Sequence, residues 1–304
     1  NRVDIQLSIT KEKSYPAYKT DHIVVLSNID DNSLPVALKK AVINREIAFI
    51  EKYLGEFPHD KLLIDKETAF KNRAYGLDIP KFLSDFSDVF KWDIEFFKAL
   101  SKKMVEEMVI VNKNQDYWLP EGIEVYLLMK YCQEFYPEVK ILGNLSHVWG
   151  LRSLNLTKLG FNDKYPYLYQ FSARKNLDQP LTTRVDSLSN FNRKTISSYK
   201  AGLGLRYLEN FLEDNIFRKS LKQYIKEDKF KTNSTLLFKE IITSNTEKDL
   251  SWFFGDYINS KKKIDYTIKK VIFDQDSVYI TIKNTRNITA PVALYGIKDK
   301  KIIW

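Results

Sequence analysis

Histidine is scarce in this chain of 304 residues. His22, His59 and His147 are the three present, and no two fall within thirty residues of each other. Two imidazole ligands on one helix need i and i+4 spacing, because 3.6 residues per turn puts those positions on one face. A His-Glu-x-x-His metal site is therefore excluded in every register. The single cysteine, Cys132, excludes an intrachain disulfide and a multi-thiolate zinc site. A mixed site built from His147 and scattered carboxylates stays open. No apolar run approaches the ~18 residues of a membrane-spanning helix. There is no repeat at a fixed period and no low-complexity tract. The first residues, Asn1-Arg2-Val3-Asp4, lack an initiator methionine and any signal-peptide pattern, so a processed product or a fragment is expected.

What is present is an ordinary globular composition: 44% hydrophobic and 29% charged residues, enough for a full core in about two domains. Forty-eight basic against 39 acidic side chains give +9. The excess is lysine spread along the chain, with runs at Lys261-Lys262-Lys263 and from Lys298 to Lys301. That reads as a solvated surface. Nucleic-acid binding would need a basic stripe joined to a recognition element, and none is visible. The richness in Lys, Asn, Ile, Phe and Tyr resembles a low-GC bacterial proteome.

Along the chain, Val3 to Ile9 and His22 to Ile29 read as strands. Pro35 to Gly55 has helical periodicity, with Gly55 as its stop. Leu62-Leu63-Ile64 reads as a short strand. Asp93 is placed as the N-cap of a helix reaching Val111, with Phe97, Leu100, Met104, Met108 and Val111 on its buried stripe. A second helix begins near Pro120, buries Ile123, Leu127, Leu128, Tyr131 and Phe135, and ends at Pro137. More helices are expected between Val139 and Leu159, then a loop-rich region from Gly160 to about Thr195. Helices follow at Tyr199 to Leu212, Ile216 to Ile225 and Thr235 to Ile242, then an aromatic cluster at Trp252, Phe253, Phe254 and Tyr257. After about Ser260, alternation at Ile264 to Ile272, Ser277 to Ile282 and Pro291 to Tyr295 reads as β, with a hairpin turn at Asp274-Gln275-Asp276.

The segment Trp118-Leu119-Pro120-Glu121-Gly122-Ile123-Glu124-Val125-Tyr126 resembles the third-ligand helix of the aminopeptidase N-like gluzincin zinc peptidases, which include membrane alanyl aminopeptidases and leukotriene hydrolase-like enzymes. Their motif is Trp-Leu-x-Glu-Gly-hydrophobic-x-x-Tyr. Phe57-Pro58-His59-Asp60-Lys61-Leu62, Tyr199-Lys200-Ala201-Gly202 and Asp249-Leu250-Ser251-Trp252-Phe253-Phe254 resemble further segments of that family, in its order. The match covers roughly residues 36 to 260. It implies an α+β, mainly helical fold: a thermolysin-like catalytic domain, then a helical domain, then a short β segment. The expected divisions are 1–33, strands that end a preceding sandwich or edge the catalytic domain; 34–160, the peptidase domain; 161–260, the helical domain; and 261–304, a partial β-sandwich.

In the family, eighteen residues separate the second ligand histidine from the ligand glutamate. Counting back from Glu121, residues 103 to 120 fill that interval, and the five before them read Lys98-Ala99-Leu100-Ser101-Lys102. The resemblance thus places Lys98 and Lys102 at the two histidine ligands and Ala99 at the general base. Glu121 keeps the third-ligand carboxylate and Tyr199 matches the oxyanion tyrosine. The amine-binding loop falls near Asn72 to Leu77, which has no glutamate; Asp78 is the nearest acid on its C-terminal side. The implied protein is a catalytically inactive, zinc-free relative, with a scaffolding role or a peptide or protein ligand in the former cleft. The alternative is an active zinc peptidase with non-standard ligands; a lysine-based hydrolase is a third reading. Glu121 reads either as a helix-start carboxylate favoured by the dipole or as the partner of a lysine. An ammonium of Lys98 or Lys102 is expected near the metal position, paired with Glu121. Relatives of this type imply an exported or envelope-associated setting. The sequence gives no oligomeric state.

Overall fold

The computed structural model describes residues 15–29, 33–66, 86–143, 146, 155–227, 235–275, 277–298 and 301–302. The expected strand at Val3 to Ile9, the loop from Asn72 to Asp78 and His147 lie outside them. The chain divides into two compact units. The first holds Asn1–Met108 and Leu127–Lys164, the second Val109–Tyr126 and Tyr165–Trp304.

In the first unit, β1 (Ala17–Lys19) pairs antiparallel with β2 (Val24–Ser27), and β2 pairs parallel with β3 (Lys61–Ile64). Parallel neighbours need a crossover, here made by α1 (Val36–Leu54). Gly55 ends α1 with φ +91°, a conformation glycine adopts without strain, and its N–H donates to the Glu51 carbonyl. Helix α2 (Asp88–Met108) lies against α1 around an aromatic cluster. Phe49 of α1 meets Phe97 edge-on, and Phe97 stacks on Tyr131 with centroids 4.0 Å apart.

Helix α2 starts at Asp88, not at Asp93 as expected. The Phe90 N–H reaches Ser87 Oγ at 3.3 Å, so the serine caps the helix. Asp93 lies one turn inside, wholly buried and met by other charged and polar groups. The expected stripe holds at Phe97, Leu100 and Met104, whereas Met108 is half-buried and Val111 falls beyond the helix end.

Helix α3 (Trp118–Phe135) begins in the second unit and ends in the first. Its start is pinned by Trp118, whose Nε1–H donates to Thr235 Oγ1 at 3.0 Å, while that hydroxyl donates to Asp116 at 2.6 Å. The second unit adds α4 (Lys164–Arg174), α5 (Ser197–Leu212), α6 (Asp214–Glu227) and α7 (Thr235–Ser244), though the first residue of α4 belongs to the first unit. A π-helical turn over Trp252–Tyr257 carries the predicted aromatic cluster, all four rings buried.

Two expectations need correcting here. The region from Gly160 to about Thr195 is loop-rich only after Arg174: α4 comes before that stretch and a π-turn at Asn192–Ile196 closes it. Pro166 sits in the first turn of α4, where it removes no helical hydrogen bond. The run from Pro291 to Tyr295 is not a strand. Proline offers no N–H to a ladder, and the Pro291 carbonyl is taken by the Tyr207 hydroxyl. The hairpin does form, as β4 (Tyr266–Asp274) with β5 (Ser277–Asn284), and two short strands, β6 (Ile297–Lys298) and β7 (Lys301–Ile302), make a second one.

Candidate functional site

Lys98, Ala99 and Lys102 lie together in mid-α2, in the first unit. Helical geometry places the two lysines, at i and i+4, on a common face. Both are half-buried, and Ala99 is buried. The Lys102 ammonium is 4.0 Å from Glu106, and the next lysine, Lys103, pairs with Glu107 at 2.9 Å. Glu107 is also 3.7 Å from His59. A third lysine, Lys164, is enclosed nearby with its ammonium 3.3 Å from the centre of the Phe161 ring. Burial lowers Lys164 to about 7; the buried Cys132 thiol opposes that fall and the charge of Lys98 adds to it. Sequence reasoning missed Lys164, because no local pattern marks a lysine whose burial depends on distant helices.

Glu121 and Tyr199 lie in the second unit. Glu121 is half-buried in the first turn of α3, where the helix dipole favours a carboxylate. One turn earlier, the Tyr117 hydroxyl donates to the Arg193 carbonyl at 2.8 Å. Burial, then the charges of Glu121 and Glu124, push Tyr117 above its ordinary value, while Arg193 pulls it partly back. Tyr199, on α5, is buried with its ring edge-on to Tyr165 at 4.8 Å. The expected pairing of a lysine with Glu121 would join the two units, outside the contacts described for either.

In the same part of the second unit, helix packing fixes the shape of the Trp-Leu-x-Glu-Gly segment. A methyl group on Gly122 would stand 2.7 Å from Ala201 Cβ, and one on Gly202 would stand 2.6 Å from Val125 Cγ1. Helices α3 and α5 therefore touch through hydrogen atoms. Tyr126, the last residue of the motif, donates to Glu209 of α5 at 2.6 Å.

Lys98 and Lys102 do not fit zinc as ligands. Catalytic zinc takes neutral imidazole, thiolate or carboxylate groups. Lysine is protonated at neutral pH unless burial prevents it, and an ammonium has no lone pair to give. Among the described residues, no group of three or more His, Cys, Asp or Glu is placed to hold a metal ion. His22 is bonded to Glu51 at 2.8 Å. No helix among them is long and apolar enough to cross a membrane.

Comparison with protein families matches the peptidase family M1 domain over residues 105–257. Among solved structures, the chain is similar to an M1 zinc metallopeptidase from Deinococcus radiodurans: 12% identity, 82% of this chain, 51% of that chain and a TM-score of 0.48. A mutant of that enzyme bound to a Tyr-Ser-Ala substrate gives 12%, 82%, 51% and 0.49. The chain thus spans about half the length of the solved structures it matches. No curated protein matches it.

Proposed function

The chain belongs to peptidase family M1, and we propose that it is a pseudo-metallopeptidase: a member that holds no zinc and binds a peptide or protein segment instead of cleaving it. The observation that carries this reading is the Lys98-Ala99-Lys102 set on α2. Two cations at i and i+4 repel a divalent metal and attract carboxylates. Ala99 offers no group to take a proton from water, so nucleophile activation lacks its base. Glu121 and Tyr199 support a retained framework, since both stand in helices that pack without help from a metal. A peptide's carboxylates match the lysine face in charge, which is why the ligand class is peptide or protein.

The test is elemental analysis after dialysis against Zn²⁺, with a panel of aminoacyl substrates run with and without chelator. The expected result is zinc far below one equivalent per chain and no turnover. Stoichiometric zinc with chelator-sensitive hydrolysis would overturn the reading. A variant carrying Lys98→His, Ala99→Glu and Lys102→His is expected to gain zinc affinity, because it restores the donor types that catalytic sites use.

A further inference from the structure

Helices α1 and α2 of the first unit meet around a group of polar side chains set in an apolar core. The Asp93 carboxylate of α2 is wholly buried. It accepts from the Arg45 guanidinium, from the Tyr131 hydroxyl at 2.8 Å and from the Tyr136 hydroxyl. Arg45 also donates through Nε to Tyr131 at 3.0 Å and lies 4.7 Å over the Phe135 ring. One guanidinium and two phenols thus converge on the Asp93 carboxyl group.

Its neighbour is different. Glu46, next to Arg45 on α1, is also wholly buried. Neither of its carboxylate oxygens has a donor. Val42, Ile43, Ile47 and Ile50 of the same helix are buried with it. A carboxylate without donors in such surroundings is strongly disfavoured as an anion. Arg45 is the cation that faces the two acids, and Asp93 holds it in a direct ion pair. The tyrosines and the thiol around them are neutral at ordinary pH. Burial raises both Tyr131 and Tyr136, and lifts the thiol of Cys132, on α3, to about 12. Beyond Cys132 stands Lys164.

We propose that Glu46 and Asp93 hold one proton between them, with Glu46 as the neutral acid donating to an Asp93 carboxylate paired to Arg45, and that this proton is a pH-sensitive lock between α1 and α2. With one proton shared the charges balance: one anion, one cation and a neutral acid. Loss of the proton sets two buried carboxylates side by side against one guanidinium, a like-charge pair of the kind that cannot comfortably ionise together.

Burial first, then the charge of Asp93 and its hydrogen bond, raise Glu46 well above its ordinary value of 4.5, with Arg45 pulling partly back. The folded chain therefore keeps a proton that the unfolded chain releases. Stability is full below about 4.5 and falls as pH rises through the folded value. Over that window the folding equilibrium constant drops about tenfold per pH unit for one proton.

Two measurements decide it. Infrared difference spectra of protein labelled with ¹³C-carboxyl glutamate are expected to show a protonated glutamic acid band at neutral pH, lost in Glu46→Gln. Denaturant unfolding of wild type and Glu46→Gln from about pH 5 to about pH 9 is expected to give diverging profiles, the variant being flatter. Taking the difference between the two removes the separate titration of Lys164. Absence of a protonated glutamate band in the wild type, or profiles that stay parallel, would overturn the proposal. Absence of the band is read on the wild type alone, so a variant that fails to fold still leaves a result that can overturn the proposal.

Discussion

A single hydrogen atom at two positions sets how closely α3 approaches α5. Gly122 faces the Ala201 Cβ, and Gly202 faces the Val125 side chain, at distances where a real Cβ cannot stand. The Cβ atoms of Ala201 and Val125 are fixed to the backbone and cannot swing away, so the helices themselves must move. Gly202→Ala and Gly122→Ala are each expected to destabilise by about 1–3 kcal/mol through overpacking, despite the ~1 kcal/mol that alanine gains over glycine in a helix interior. Because both sites share one crossing, the double variant should cost less than the sum. Urea unfolding of the four proteins checks this, and a net gain in stability for either single variant would refute the crowding argument. The glycine was legible in sequence as part of a motif. Its reason was not, because Ala201 is distant in sequence and comes into contact only after folding. Packing and the Tyr126–Glu209 hydrogen bond hold the motif in place here.

Elements were legible where one face of a helix supplies the core. Helix α1 appears within a residue of its expected limits, and α2 buries Phe97, Leu100 and Met104 as its spacing requires. Asp93 was misread because a local rule, the preference of aspartate for helix caps, competes with partners at Arg45, Tyr131 and Tyr136 that the local sequence cannot reveal. Helix α4 was missed because its buried positions include tyrosine, lysine and serine instead of a clean aliphatic stripe. Lys164 at its start gives an element-scale prediction. Its folded value of about 7 lies below the ordinary 10.5, so between those limits the unfolded chain binds the extra proton. Stability therefore gains from Lys164 as pH rises from about 7 to about 10.5 and is at its lowest from this group below about 7. Lys164→Met, which keeps the volume and removes the charge, is expected to abolish that alkaline gain. It should be neutral or stabilising near pH 6 even though it gives up the ring contact with Phe161. Denaturant midpoints across neutral and alkaline pH check this; an unchanged pH slope would show that Lys164 does not titrate as its burial implies.

At the scale of the whole molecule, two opposing features govern association. The net charge of +9 keeps copies apart. Against it stands the β4–β5 hairpin, which exposes Ile268, Val271, Ile272, Phe273, Val278 and Tyr279, with Phe273 79% exposed. Alternation normally gives a strand one buried face, yet these residues occupy both faces of a two-stranded ribbon with open edges. Such side chains contribute little to folding, since they stay in water in the folded state, and a contiguous apolar surface favours contact between molecules. Salt should tip the balance, because raising ionic strength to about 1 M shortens electrostatic reach to ~3 Å while leaving apolar attraction intact. Sedimentation velocity is thus expected to show self-association that grows with salt and protein concentration. Phe273→Lys should suppress it while shifting stability by no more than about 0.5 kcal/mol, as for other surface changes. A large loss of stability would mean that the Phe273 ring is buried in the working protein, and association that weakens with salt would mean that charge, not the hairpin, draws the copies together.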